Sequence, residues 1–375
     1  MFLKKVCCIL YGLLFFVGIQ LFAQENIEET GEIVYKFVPL LSSNPTSGTG
    51  IGAAATALYK VDTSSPSQML IGGQYTDSKS YSIAALNRMY FDGDRWQSKT
   101  LAAYVYNNTS YNIPDEWLPS LPAIPYNSID FNVEIFAALQ QFLYLLYPSW
   151  YVGGQFFYID QKFSAINPAG EAFLRENGIE NSKRAGYGFN IAYDTRDKTE
   201  KLFPMHSTWI DLTMNHFPTS LGSTKNYYNG MLNARKYISG FKKSDVVAMQ
   251  FYAQFSSKYT PDGALSALGA RNILRGFPIG LHKARNMLAL QGEYRYRIKN
   301  TRFRVSAFGG VANLSGGSYG NGSDNNRDNH NGTYSSEGVG VHYILSEREN
   351  LDYRLNVAYS SDKETSVYAS INQAF

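Results

Sequence analysis

Only two of the 375 residues are cysteine, and both, Cys7 and Cys8, fall within the first 23 positions. There Lys4 and Lys5 precede an apolar run from Val6 to Phe22, and the small residue Ala23 precedes Gln24. This is the layout of a secretory signal, so residues 1–23 are expected to be cleaved away, taking both thiols with them. The remaining 24–375 form one expected domain with no disulfide, no thiolate nucleophile and no cysteine metal site. Charge is scarce too. Without Lys4 and Lys5 the 34 basic residues become 32, against 31 acidic, a formal +1. Such a chain offers no broad positive field to nucleic acid, which is not an expected partner.

Long apolar runs are also missing. The best, "VEIFAALQQFLYLLY" at 133–147, is broken by Glu134, Gln140 and Gln141 and falls short of the ~20 apolar residues that a membrane helix needs. The five histidines, His206, His216, His282, His330 and His342, show no paired ligand spacing, so no metal or cofactor is expected. "GGSYG" at 316–320 matches G-x-S-x-G, yet it lies in a Gly/Ser/Asn-rich loop and not between a strand and a helix. "DNNRDNHNG" at 324–332 lacks the glycine and the closing glutamate of a calcium loop. An enzyme is not the expected reading.

Abundance lies elsewhere, in 29 tyrosines and 23 phenylalanines set in segments of period two. In "MLALQGEYRYRI" Leu288, Leu290, Tyr294, Tyr296 and Ile298 share one face, while Gln291, Glu293, Arg295 and Arg297 share the other. Successive side chains of a strand point to opposite faces, so each such segment has a greasy side and a wet side. Strands are expected near 33–40, 50–60, 67–76, 80–91, 95–107, 128–145, 150–162, 184–194, 206–216, 226–239, 245–257, 286–299, 302–313, 333–346, 351–361 and 365–375. Long connections near 108–127, 163–183, 258–285 and 314–332 alternate with brief ones such as "DGD" and "YPS". The fold class this implies is all-β, a transmembrane antiparallel barrel of about 16 strands. Hydrocarbon supplies no hydrogen-bond partner, so such a barrel must close its own ladder. The final segment puts Val367, Ala369, Ile371 and the terminal Phe375 on one face. Phe375 is therefore expected to be read by the machinery that assembles outer-membrane barrels. Within the loops, 168–178 is expected to form a short helix that serves as a cover, and Arg295, Arg297, Arg302 and Arg304 are expected to cluster on the wet face.

Two stretches resemble the BamA/TamA superfamily of outer-membrane barrels, the bacterial surface antigen family. In "GYGFNIAYDTRDKTEKLFPMHSTWIDLTM" (186–214), Tyr193, Asp194, Arg196, Asp197 and Pro204 resemble that family's Tyr-Asp-Thr-Arg-Asp segment and the proline turn after it. "LGARNILRGFPIGLHKARNMLALQGEYRYRI" (268–298) is similar to its loop with a hydrophobic-Arg-Gly-aromatic signature and a following Glu-Tyr-Arg strand. "VPLLSSNPTSGTGIGAAATALY" also looks like the family's first hairpin. The resemblance implies sixteen strands, and a long loop folded into the lumen with Arg275, Gly276 and Phe277 at its tip and Glu293 as partner of Arg275. It departs from the family where an aspartate is often found, since the stretch here reads Phe308-Gly309-Gly310. No POTRA domain is expected between Gln24 and the first strand.

The expected function is that of an accessory factor in assembly or translocation of outer-membrane or secreted components. Its expected setting is the bacterial outer membrane, with outer-membrane lipid around it and a separate periplasmic protein as candidate partner. The alternative is a transport or structural barrel, a solute or dedicated-partner pore or a surface antigen, without insertase activity. A first strand that stops at Val38-Pro39 is expected to leave the closing seam weak, because proline lacks the donor a ladder needs.

Overall fold

Alternation with almost no interruption leaves the chain one way to bury its backbone, and a computed structural model shows it. The structure describes residues 33–44, 48–112, 128–176, 179–198, 201–269, 273–277, 282–317, 331–347 and 351–371. The strands are β1 (Val34–Asn44), β2 (Gly48–Tyr59), β3 (Ser67–Thr76), β4 (Tyr81–Phe91), β5 (Trp96–Asn112), β6 (Ser128–Tyr147), β7 (Trp150–Ala165), β8 (Ser182–Asp194) and β9 (Thr208–Phe217). They continue as β10 (Tyr227–Ser239), β11 (Val246–Ser256), β12 (Ser266–Ala267), β13 (Lys283–Ala284), β14 (Asn286–Arg297), β15 (Phe303–Ser315), β16 (Gly332–Ser346), β17 (Leu351–Ser360) and β18 (Thr365–Ile371). Sixteen of them close an antiparallel barrel in chain order, and β12 and β13 pair apart from it. All sixteen expected strands are present.

Register keeps the two faces apart around the ring. Asn233 of β10 lies opposite Tyr252 of β11, and Tyr252 lies opposite Ala289 of β14. Gln250, Tyr252, Gln254, Gln291, Glu293 and Arg295 are buried on the inner face, whereas Met249, Phe251, Phe255, Leu288 and Leu290 are exposed on the outer one. A buried polar interior within an exposed apolar exterior inverts the soluble pattern and suits a barrel bathed in lipid. The wall is tallest at β5, β6 and β7, with 17, 20 and 16 residues, and lowest at β18 with 7. Against the tall side rests α1 (Pro168–Glu176), the helix expected there. Asn167 accepts from the Gly170 N–H at 2.7 Å as its cap, and Ala169 and Leu174 pack on Ile129 and Phe131 of β6.

Two expectations require correction. β1 does not stop at Pro39; it runs to Asn44 and pairs with β2 along all of its length, from Val34↔Leu58 to Asn44↔Gly48. Pro39 is tolerated because, among the described residues, the stretch around it has no partner on the β18 side, the edge position to which proline is confined in sheets. The four arginines also part company. Arg295 and Arg304 are buried in the lumen, whereas Arg297 bonds Glu347 and the Thr301 carbonyl at the turn and Arg302 is exposed. Alternation placed all four on one face, but a barrel face ends at the rim, and the outer pair lies beyond it. Residues 1–23, the calcium-like stretch 324–330 and Phe375 lie outside the described residues.

Candidate functional site

The connection between β11 and β14 carries Arg275 into a site that the wall already lines with charge. Arg275 Nη2 donates to Glu293 Oε2 at 2.5 Å, and both side chains are nearly sealed from solvent, at 4% and 0% exposure. Glu293 shares its other oxygen with Arg295, whose Nε donates to Oε1 at 2.8 Å. The Arg275 guanidinium also lies over the Phe308 ring, 3.5 Å from its centroid. A planar cation fits both a carboxylate and an aromatic face, a combination lysine cannot supply. Glu293 holds the arginine from one side and the Phe308 ring from the other. Asn356 completes the shell when its amide is assigned with the oxygen toward the two guanidiniums, accepting from Arg354 at 3.1 Å and Arg275 at 3.2 Å.

Backbone geometry aims the tip. Leu274 and Gly276 both have positive φ, 48° and 116°. At 116° a side chain would be strained, so Gly276 is the residue the turn requires. The Leu274 N–H donates to Gln291 Oε1 at 3.1 Å. Phe277 is buried with Leu268, Ile273, Met287 and Leu314, and its ring meets Tyr334 edge-on at 5.8 Å. The Gly276 N–H donates to the Tyr368 hydroxyl at 3.0 Å, and Ser366 donates to the Gly276 carbonyl at 3.3 Å. Residues 275 and 276 therefore tie β14 to the last strand.

Among the described residues, that last strand pairs with β1 at two positions, Ser42↔Tyr368 and Ser43↔Val367. Below them the described residues of the two edges are not paired in a ladder. Val38, Ala54 and Leu58 from the inner face of β1 and β2 share one buried apolar cluster with Tyr353 and Ile371 from the outer face of β17 and β18. The two ends of the sheet overlap there, face against face. Among the described residues, side-chain contacts hold that part of the seam.

The second motif closes the opposite end of the lumen. Asp194 is nearly inaccessible and accepts a fork from Arg196, Nε and Nη2 each at 2.9 Å, together with Lys201 Nζ at 2.9 Å. Tyr193 packs against Trp150 at the rim, with centroids 5.0 Å apart and the rings tilted by 46°. Asp197 is exposed, whereas Pro204 is buried at the turn. Sequence reasoning read this segment as a turn and missed its use: Leu202 and Phe203 are buried, and Phe203 lies under the Arg304 guanidinium at 3.9 Å and the Arg295 guanidinium at 5.6 Å. Arg304 in turn pairs with Asp352, beside His342. A length of thirteen residues, 195–207, on the side of the short turns was the available signal. Ser366 and Tyr368 were missed likewise, although both lie on the wet side of β18.

No protein-family model matches the sequence, and no curated protein does. Solved structures do match. BamA from Haemophilus ducreyi, in a form lacking POTRA domains 1–3, superposes with a TM-score of 0.54 at 12% identity, over 91% of this chain and 70% of that one. The fold is that of the BamA barrel. CdiB from Acinetobacter baumannii gives a TM-score of 0.58 at 10% identity over 92% of this chain, and CdiB from Escherichia coli gives 0.59 at 11% over 92%. This BamA-fold chain spans 60% and 63% of the length of those two proteins. At such identities the likeness is one of fold.

Proposed function

We propose that this BamA-fold barrel works in the bacterial outer membrane as an accessory factor for the assembly or translocation of outer-membrane or secreted components. The observation that carries the reading is the seam between β1 and β18, which has two residue pairs among the described residues. A strand edge with so little pairing offers free backbone donors and acceptors to an incoming strand, the hazard that sheets normally suppress. The Arg275 segment bonds β18 at Tyr368, the residue opposite Ser42, so the lock and the seam form one device. Outer-membrane lipid surrounds the apolar exterior, a separate periplasmic protein delivers the cargo, and Phe375 marks the chain for its own assembly machinery. An open solute pore is the weaker reading, because Arg275 from one end and Phe203 from the other occupy the lumen.

A Ser43→Cys, Val367→Cys pair tests the seam. Antiparallel partners have Cα atoms about 4.5–5.5 Å apart, within the roughly 4.4–6.8 Å a disulfide spans. The oxidised protein is expected to fail to restore the levels of other outer-membrane proteins in depleted cells, and reduction is expected to recover them. Full restoration by the oxidised form would reject seam opening.

A further inference from the structure

One lumen arginine lines a cavity and has no carboxylate ion pair among the described residues. Arg275 and Arg295 share Glu293, Arg304 pairs with Asp352, and Arg196 is held by Asp194. Arg184 of β8 is 6% exposed, and neutral groups are its bonding partners: Nη2 donates to Gln161 Oε1 at 2.9 Å, and Nη1 donates to the Gly263 carbonyl. Its Nε has no partner. The nearby carboxylate, Asp262, is engaged by Lys283. A cation this deep without a counter-ion is unfavourable unless an anion reaches it.

The side chain lines a cavity of about 250 Å³ between the wall of β7 to β11 and the inserted connection. Among the described residues, no acidic side chain lines it. One side is aromatic: Phe217 stacks on Tyr227 with centroids 4.5 Å apart and planes within 3° of parallel. Another side carries fixed amides, since Gln155 donates to Asn215 and Asn215 donates to Asn229, each at 2.8 Å. Leu265 and Ile273 of the connection cover it. An apolar box with a few placed polar groups is the usual make-up of a ligand site, and this volume lies just below the roughly 300–1,000 Å³ that drug-sized molecules fill.

We propose that this cavity binds a small organic anion, a carboxylate on a flat apolar body. The carboxylate accepts from the Arg184 guanidinium that lines the cavity, and the body lies against the Phe217 and Tyr227 rings. Because the connection between β11 and β14 forms the cover, occupancy holds that segment against the wall on the side opposite the Arg275 lock. The site stands independently of any role in assembly.

Titrating purified, folded barrel with benzoate, and with neutral benzamide as control, tests the assignment by ligand-observed NMR. Benzoate is expected to saturate the barrel and to bind at least about tenfold more tightly than benzamide. Arg184→Gln is expected to abolish the difference, with retention of the barrel checked by heat-modifiable gel mobility. Ala264→Leu, which keeps Arg184 and fills the cavity from the cover, is expected to remove benzoate binding as well. Absence of saturable benzoate binding to the wild-type barrel, or equal binding by folded Arg184→Gln, would overturn the proposal.

Discussion

Glu293→Gln is expected to cost the barrel about 3–5 kcal/mol, the penalty for breaking a buried pair by removing one partner. The upper part of that range applies, because a single carboxylate serves both Arg275 and Arg295 and is fully sealed. Arg275→Ala is expected to cost less, since Glu293 keeps Arg295 at 2.8 Å and the lumen loses a positive charge it holds in excess. Both changes release residues 273–277 from the wall. Limited proteolysis of the folded barrel is expected to cut within 265–285 in either variant and to spare the wild type. Urea unfolding in detergent should rank the stabilities wild type, Arg275→Ala, Glu293→Gln. Equal protease resistance in all three would rule out the lock.

Asp194→Ala is expected to have the second largest effect, again about 3 kcal/mol or more, for the same reason with the charges reversed. It strands Lys201, whose side chain is 3% exposed, and frees the fork of Arg196. The change should propagate through the thirteen-residue connection to Phe203, which sits below the Arg295 and Arg304 guanidiniums. Loss of that seat opens the lumen from the side of the short turns. Single-channel conductance in planar bilayers is therefore expected to rise clearly above wild type. Unchanged conductance in a folded Asp194→Ala barrel would show that 195–207 does not close the lumen.

Much of this architecture was legible because lipid and lumen impose opposite polarity on neighbouring residues. Leu290 and Gln291 differ by one position and by a whole environment, so period two reported both the strand and its facing. The pairing of Arg275 with Glu293 could be anticipated because the glutamate falls on the wet side of its strand. Phe203 could not, since a turn has no period and its side chains follow tertiary contacts alone. The extent of β1 was misjudged for a related reason. Proline was read as a stop, whereas its missing donor matters only on a side that needs one, and β18 begins pairing three residues later, at Ser42. The overlap of Val38 with Tyr353 and Ile371 depends on where two distant ends of the chain meet, which no local pattern records.

The central claim is that the apolar half of every strand faces acyl chains while the polar half faces an enclosed interior. Adjacent positions on β7 test it most directly: Phe156 is 66% exposed and Gln155 is 4% exposed. Nitroxide labels at Phe156→Cys and Gln155→Cys, in barrels reconstituted into vesicles, can be read by collision with oxygen, which concentrates in lipid, and with a water-soluble nickel chelate. The label at 156 is expected to meet oxygen and to be shielded from nickel, and the label at 155 is expected to be hidden from lipid-borne oxygen. Nickel access at 156 as high as at a water-exposed loop label, with no excess of oxygen collisions, would mean that the exterior lies in water, and the account would fall with it.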